Sequence, residues 1–278
     1  MDFDTIVDGI KELPPLSDTA KVVERLYTNG AENVNITNLI RAIESDASLT
    51  VNILKMINAP FYGFSRRISS VSQAVTLFGT QTIYGLVVKF CIESSLIANV
   101  RPYGISSTQF NELSHLQSTL MNQWYSKIDL HHAQVMTPLA LIMESGKLVM
   151  SREIVKAGKI KEFQEGLLKS EDIIEYENSF FGTTSCYVTG VLIEHWNLDP
   201  LYVDILKELD FIGDDNSAQM EAYIFSLDVV RTAINVKEVL TQNSIAHACD
   251  LIEENGFHVD EFLQLTSRLK EKLNLEKE

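Results

Sequence analysis

The side chains that could carry hydrolytic or metal chemistry in this chain are six histidines, three cysteines and 38 carboxylates. An ion that activates water needs several of these converging at fixed spacing. His131 and His132 are adjacent, so on a helix they diverge by about 100° and do not share an ion as an i, i+4 pair does; they read as solvated residues at a helix start. His195, within Glu194-His195-Trp196, suits a helix C-terminus, where an imidazolium meets carbonyl ends. His247 and His258 lack metal-type spacing, and Cys249 lies two residues from His247 on another helical face. His115 lies beside an apolar stripe and on its own reads as a histidine at the edge of a core. Cys91, Cys186 and Cys249 stand far apart with no C-x-x-C spacing, which argues against a zinc knuckle or a disulfide framework and suits a reducing cytosol. No G-x-x-x-x-G-K-[ST], G-x-G-x-x-G or G-x-S-x-G is present, so a phosphate loop, a dinucleotide fold and an α/β-hydrolase triad have no anchor.

The charge balance narrows the partners. With 38 acidic and 23 basic side chains the net charge is −15, and a chain this negative repels a phosphate backbone unless it hides a basic stripe. The nearest thing to one is the pair Arg66 and Arg67. Residues 1–105 hold 9 basic and 10 acidic groups, and residues 106–278 hold 14 and 28, so the acid belongs to the second part. Glu162, Glu165, Glu171, Asp172, Glu175 and Glu177 crowd one segment; this reads as solvated surface that aids solubility, or as a dock for a basic partner. The N-terminus is acidic where a signal peptide is basic, and the apolar stretch from Ile83 to Val100 is interrupted by Lys89 and Glu93. That stretch is expected to be a helix buried in protein, and nucleic acid and membrane are not expected as partners.

The elements that must position these side chains are helices. Leu49, Ile53, Met56 and Ile57, then Phe110, Leu113, Gln117, Leu120 and Trp124, then Val259, Phe262, Leu269 and Leu273 recur at helical spacing, and period-two strand signals are poor. The fold class is therefore all-α. Asp46 and Ser106 or Ser107 are placed to cap helices, while Asn58-Ala59-Pro60, Arg101-Pro102-Tyr103-Gly104 and Asn255-Gly256 are placed to end them. The Arg101 to Ser107 stretch coincides with the charge break and is taken as the seam between an N-terminal helical unit, 1–105, and an acidic helical unit, 106–278.

Three ordered segments carry a family resemblance. Leu13-Pro14-Pro15-Leu16 is followed by Ser45-Asp46-Ala47-Ser48-Leu49 and Asn58-Ala59-Pro60-Phe61-Tyr62-Gly63, then by Ile68-Ser69-Ser70-Val71 and Ala74 to Gly79. This resembles the HDOD domain family, with its L-P-x-L, I-x-x-D-P-x-L-x-x-x-L-L-x-x-x-N-S-x-x-Y-G and I-x-S-I-x-x-A-I-x-x-L-G; Ala47 replaces the usual proline and Ala59-Pro60 the serine step. The resemblance extends over roughly residues 10–210 and implies a multi-helix bundle of the type found in HD metal-dependent phosphohydrolases, whose metal centre has decayed. Where the parent pattern has G-L-L-H-D-I-G-K-L, this chain has Ala140-Leu141-Ile142-Met143-Glu144-Ser145-Gly146-Lys147-Leu148. Met143-Glu144 stands for the His-Asp pair, and His115 stands for the first ligand. A thioether does not replace an imidazole for a hard or borderline ion. Trp196-Asn197-Leu198 and Pro200 resemble the family's W-x-L-P step after Gly190, with Cys186 where a histidine often precedes that glycine; the later His-His falls near Glu208-Leu209. Pro138 either kinks its helix or, with Thr137 as cap, starts a shorter one.

The expected function is a non-catalytic signalling or regulatory module, with no catalytic residue, metal or cofactor, that binds another protein or a small signal. The resemblance implies bacterial sensory, two-component or cyclic-dinucleotide circuits, with input and output supplied in trans. Phe61, Tyr62, Arg66 and Arg67 are an aromatic and arginine set suited to a partner, or simply a structural turn with two solvated arginines. The alternatives are a metal-dependent phosphohydrolase or phosphodiesterase rebuilt around His115, Glu144 and neighbouring carboxylates, and a nucleotide-binding sensor without hydrolysis.

Overall fold

The computed structural model describes residues 1–28, 30, 33–59, 66–96, 99–211 and 217–275. Among these residues the chain is all-α: α1 (Phe3–Lys11), α2 (Asp18–Tyr27), α3 (Ile36–Glu44), α4 (Ala47–Ile57), α5 (Val71–Ser95), α6 (Ser107–Tyr125), α7 (Leu130–Ile142), α8 (Gly146–Lys156), α9 (Ile160–Lys169), α10 (Ile173–Phe181), α11 (Ser185–His195), α12 (Pro200–Glu208), α13 (Ala218–Ala233), α14 (Gln242–Glu254) and α15 (Asp260–Leu275). The caps follow the sequence. Asp46 accepts from the amide of Leu49, and Ser106 forms a reciprocal capping box with Gln109, each satisfying first-turn amides that have no partner within the helix. Asn58 closes α4, and Gly104 and Gly256 take left-handed φ values of 78°.

Of the stretch expected to be a buried helix, Ile83 to Ser95 belongs to α5, which starts earlier, at Val71, and ends before the expected Val100. By length and composition α5 could cross a membrane, but 61% of its most apolar window is buried inside the protein. Lys89 does not interrupt it: the residue is 1% exposed, its ammonium 3.0 Å from Glu93 one turn on and 5.4 Å from the centre of the Phe110 ring. What breaks α5 is Gly79, at φ 76°, ψ 166°, a backbone conformation open to glycine and strained for other residues. The second half of α5 then runs against α7, where a Cβ at Gly85 would stand 2.4 Å from the Cβ of Pro138. Pro138 lies inside α7, so the reading in which Thr137 caps a new helix is set aside.

The two segments that frame the resemblance meet in space, since the Trp196 indole donates to the Pro14 carbonyl at 3.2 Å. Asn58 clasps Ile68 through both backbone groups, accepting from its amide at 2.8 Å and donating to its carbonyl at 2.9 Å. The Arg101–Tyr103 turn at the charge break is packed inward, with Pro102 and Tyr103 buried. A contiguous set of buried apolar side chains runs from Ile6 in α1 to Leu269 in α15.

Candidate functional site

Met143-Glu144-Ser145 forms a buried 3₁₀ turn between α7 and α8. It faces the start of α11, and the approach is so close that only glycine fits at 146: its amide donates to Thr189 Oγ1 at 2.7 Å, and a Cβ there would lie 2.0 Å from the Ser185 carbonyl oxygen. This geometry points Lys147 into the protein. Its ammonium lies 2.6 Å from Glu144 Oε2 and 2.9 Å from Glu177 Oε1, and donates to Ser185 Oγ at 2.6 Å. Burial alone would push the lysine's pKa down; the two carboxylates reverse this and leave it above its ordinary value. Glu177 is held on its other side as well, accepting from the Tyr103 hydroxyl at 2.9 Å and from the Ser185 amide at 2.7 Å. Burial, then Glu177, pushes the Tyr103 phenol well up.

Glu177 therefore departs from the expected acidic surface. Glu162, Glu165, Glu171, Asp172 and Glu175 are exposed, but Glu177, on the inward side of α10, is 1% exposed and counters a buried lysine. A second buried cation lies nearby: the Arg231 guanidinium is shared between Asp210 and Asp228 and donates to Cys186 Sγ at 3.4 Å. Burial opposes its charge and the carboxylates restore it. Burial also pushes the Cys186 thiol well above its usual range, so it stays protonated. Glu144, Lys147, Ser185 and Arg231 line the floor of a cleft of about 530 Å³, walled by Ser170 to Ile174, Thr232, Asn235, Lys237, Glu238, Asn243 and His247.

Of the positions singled out by sequence, His115 and Glu144 have different charged partners. Glu144, 2% exposed, is held by Lys147. His115, 5% exposed on α6, feels the ammonium of Lys89, and burial first and that charge second push its pKa down to about 3. Among the described residues no three His, Cys, Asp or Glu side chains are arranged to hold a metal. The residues present do not fit a divalent ion of the HD type: Met143 offers a thioether, and an ion at Glu144 would stand against an ammonium already bound to the same carboxylates. Arg66 and Arg67 are exposed, while Phe61 and Tyr62 lie outside the described residues. His131 is exposed and His132 half-buried at the start of α7, His132 set edge-on to Tyr223; His195 is the exposed last residue of α11. His247 on α14 reaches the cleft, a placement that the local sequence around it did not signal.

The charge state of His115 has a measurable consequence. Its folded pKa, near 3, lies below the ordinary 6.5, so between those values the unfolded chain binds a proton that the folded chain does not. Stability should fall with falling pH by about 1.4 kcal/mol per unit from this residue alone. Urea unfolding of wild type and His115→Gln should show the variant gaining roughly 2 kcal/mol relative to wild type between pH 7 and 5. An imidazole that titrates near pH 6.5 in the folded protein would contradict the assignment.

The HDOD domain family matches residues 13–210. Among solved structures, a candidate signal transduction protein from Marinobacter aquaeolei VT8 superposes with a TM-score of 0.68 at 18% identity, over 97% of this chain and 62% of that one. A candidate phosphohydrolase from Shewanella amazonensis SB2B superposes at 0.66 and 15% identity, over 96% and 93%. A curated relative, an uncharacterized protein from Treponema pallidum (strain Nichols), is 25% identical over 83 residues, which is 30% of this chain and 16% of that protein. With Leu13 to Leu16, Asp46, Asn58 and Gly79 each placed in the fold, and the match covering most of its length, the chain belongs to the HDOD domain family.

Proposed function

We propose that the chain is a non-catalytic regulatory module of a cytoplasmic signalling system, acting by binding a partner in trans. The observation that carries this reading is the Lys147 ammonium between Glu144 and Glu177 at the position of the HD pair. Carboxylates neutralised by a fixed internal cation are not available to hold an ion that would activate water. The two cations at the floor of the cleft face four carboxylates, Glu144, Glu177, Asp210 and Asp228, so the local field disfavours a phosphate as substrate. The Marinobacter neighbour's description as a signal transduction protein agrees with a regulatory role.

The test is metal analysis of the purified protein combined with a turnover screen on nucleoside phosphates and cyclic dinucleotides. The expected result is sub-stoichiometric metal and no product; stoichiometric Mn, Fe or Zn accompanied by turnover would overturn the reading. The 530 Å³ cleft favours a second form of it, in which the signal is a small molecule held without being cleaved. A rise in melting temperature with one of the same compounds, and no product, would select that form.

A further inference from the structure

A smaller hollow of about 160 Å³ lies where α5, α6 and α7 meet. Its walls come from Leu77, Phe78 and Thr82 on α5, Ser118, Thr119, Asn122 and Gln123 on α6, and Thr137 on α7. Two features set it apart from an ordinary packing gap. The first is Thr119, which is 3% exposed and whose hydroxyl has no hydrogen-bond partner among the described residues. Of the other buried hydroxyls here, Ser114 returns to the Phe110 carbonyl at 3.1 Å, Thr137 to the Ala133 carbonyl at 2.7 Å, and Ser118 donates across to the Thr137 carbonyl at 2.9 Å; Thr119 makes neither kind of bond among the described residues. A buried hydroxyl left unmatched is costly, which makes a donor or acceptor entering the hollow favourable. The second is that Leu77 and Phe78 precede the break at Gly79 and Thr82 follows it, so an occupant touches both halves of α5.

The wall chemistry selects the ligand class. Among the described residues it presents hydroxyls, two amides, a phenyl ring and the Leu77 side chain, with no charged side chain. An anion or ammonium placed there would give up its hydration without gaining a counter-charge. We propose that this hollow binds a small uncharged molecule with two or more hydrogen-bonding groups, one of them meeting Thr119, and that the bound molecule bridges the two halves of α5 across Gly79. The site is separate from the Glu144 cleft and stands independently of the regulatory reading.

Threonine-methyl NMR of the full chain tests this, using glycerol and acetamide as neutral probes and acetate and inorganic phosphate as charged ones at matched ionic strength. A neutral probe should produce saturable shifts at Thr82, Thr119 and Thr137, and the charged probes should not. Thr119→Val keeps the shape and removes the hydroxyl; it should weaken the neutral probe at least about fivefold, read at Thr82 and Thr137, while the remaining spectrum stays folded. No saturable shift with either neutral probe, equal shifts with acetate or phosphate, or unchanged binding by Thr119→Val would each overturn the proposal. The first of these outcomes would leave the hollow as a hydrated gap, since 160 Å³ has room for about five waters.

Discussion

Replacing Lys147 with methionine is expected to destabilise the fold by roughly 3–5 kcal/mol, a large share of the stability of a typical domain. Methionine has nearly the length and volume of the lysine stem, so packing is largely kept and the loss falls on the charge. Glu144 and Glu177 would remain in a buried site without their shared cation. Glu177 keeps the Tyr103 hydroxyl and the Ser185 amide, whereas Glu144 Oε2 has no partner among the described residues besides Lys147. The deficit should depend on pH, with a sign that distinguishes charge from packing. Without Lys147 the folded carboxylates take up protons more readily than unfolded ones, so the variant's deficit should be full near pH 8 and shrink as pH falls toward 5. Urea unfolding of both proteins at the two pH values checks this. A deficit below about 1 kcal/mol, or one equal at both pH values, would show that the ion pairs do not hold this turn.

The contrast between what the sequence reveals here and what it hides follows from range. Asp46, Ser106 and Gly104 are legible because a cap or a left-handed turn is decided within four residues. The end of α4 at Asn58 is legible for the same reason. The Met143-Glu144 substitution is also legible, since it sits within one motif, but its consequence is not, because the counter-charge Lys147 meets Glu177 thirty residues downstream and Ser185 beyond it. Glu177 reads as surface because charged side chains usually are, and it is buried only because tertiary packing supplies Lys147 as its partner. The break in α5 escapes notice for a different reason: Gly79 sits in an otherwise helical pattern, and whether a glycine bends or continues a helix depends on what packs against the two halves. His247 reaches the cleft by the path of α14 across the bundle, which no local spacing encodes.

Gly146→Ala is expected to cost about 3 kcal/mol, toward or above the upper end for one added methyl group in a packed interior. The added Cβ would lie 2.0 Å from the Ser185 carbonyl oxygen, 2.9 Å from its carbon and 3.0 Å from the Thr189 amide nitrogen. These are backbone atoms in the first two turns of α11, so no side-chain rotamer relieves the clash and the helices must separate. Separation pulls on three contacts at once: the Gly146 amide to Thr189 Oγ1, the Ser185 amide to Glu177, and Lys147 to Ser185 Oγ. Helix propensity works the other way, since alanine is favoured over glycine inside a helix by about 1 kcal/mol, and the outcome measures which effect wins. A melting temperature lowered by about 6–12 °C is expected for a domain of this size. An unchanged or raised melting temperature would mean that α8 and α11 stand farther apart than described and that the Glu144 turn is not clamped between them.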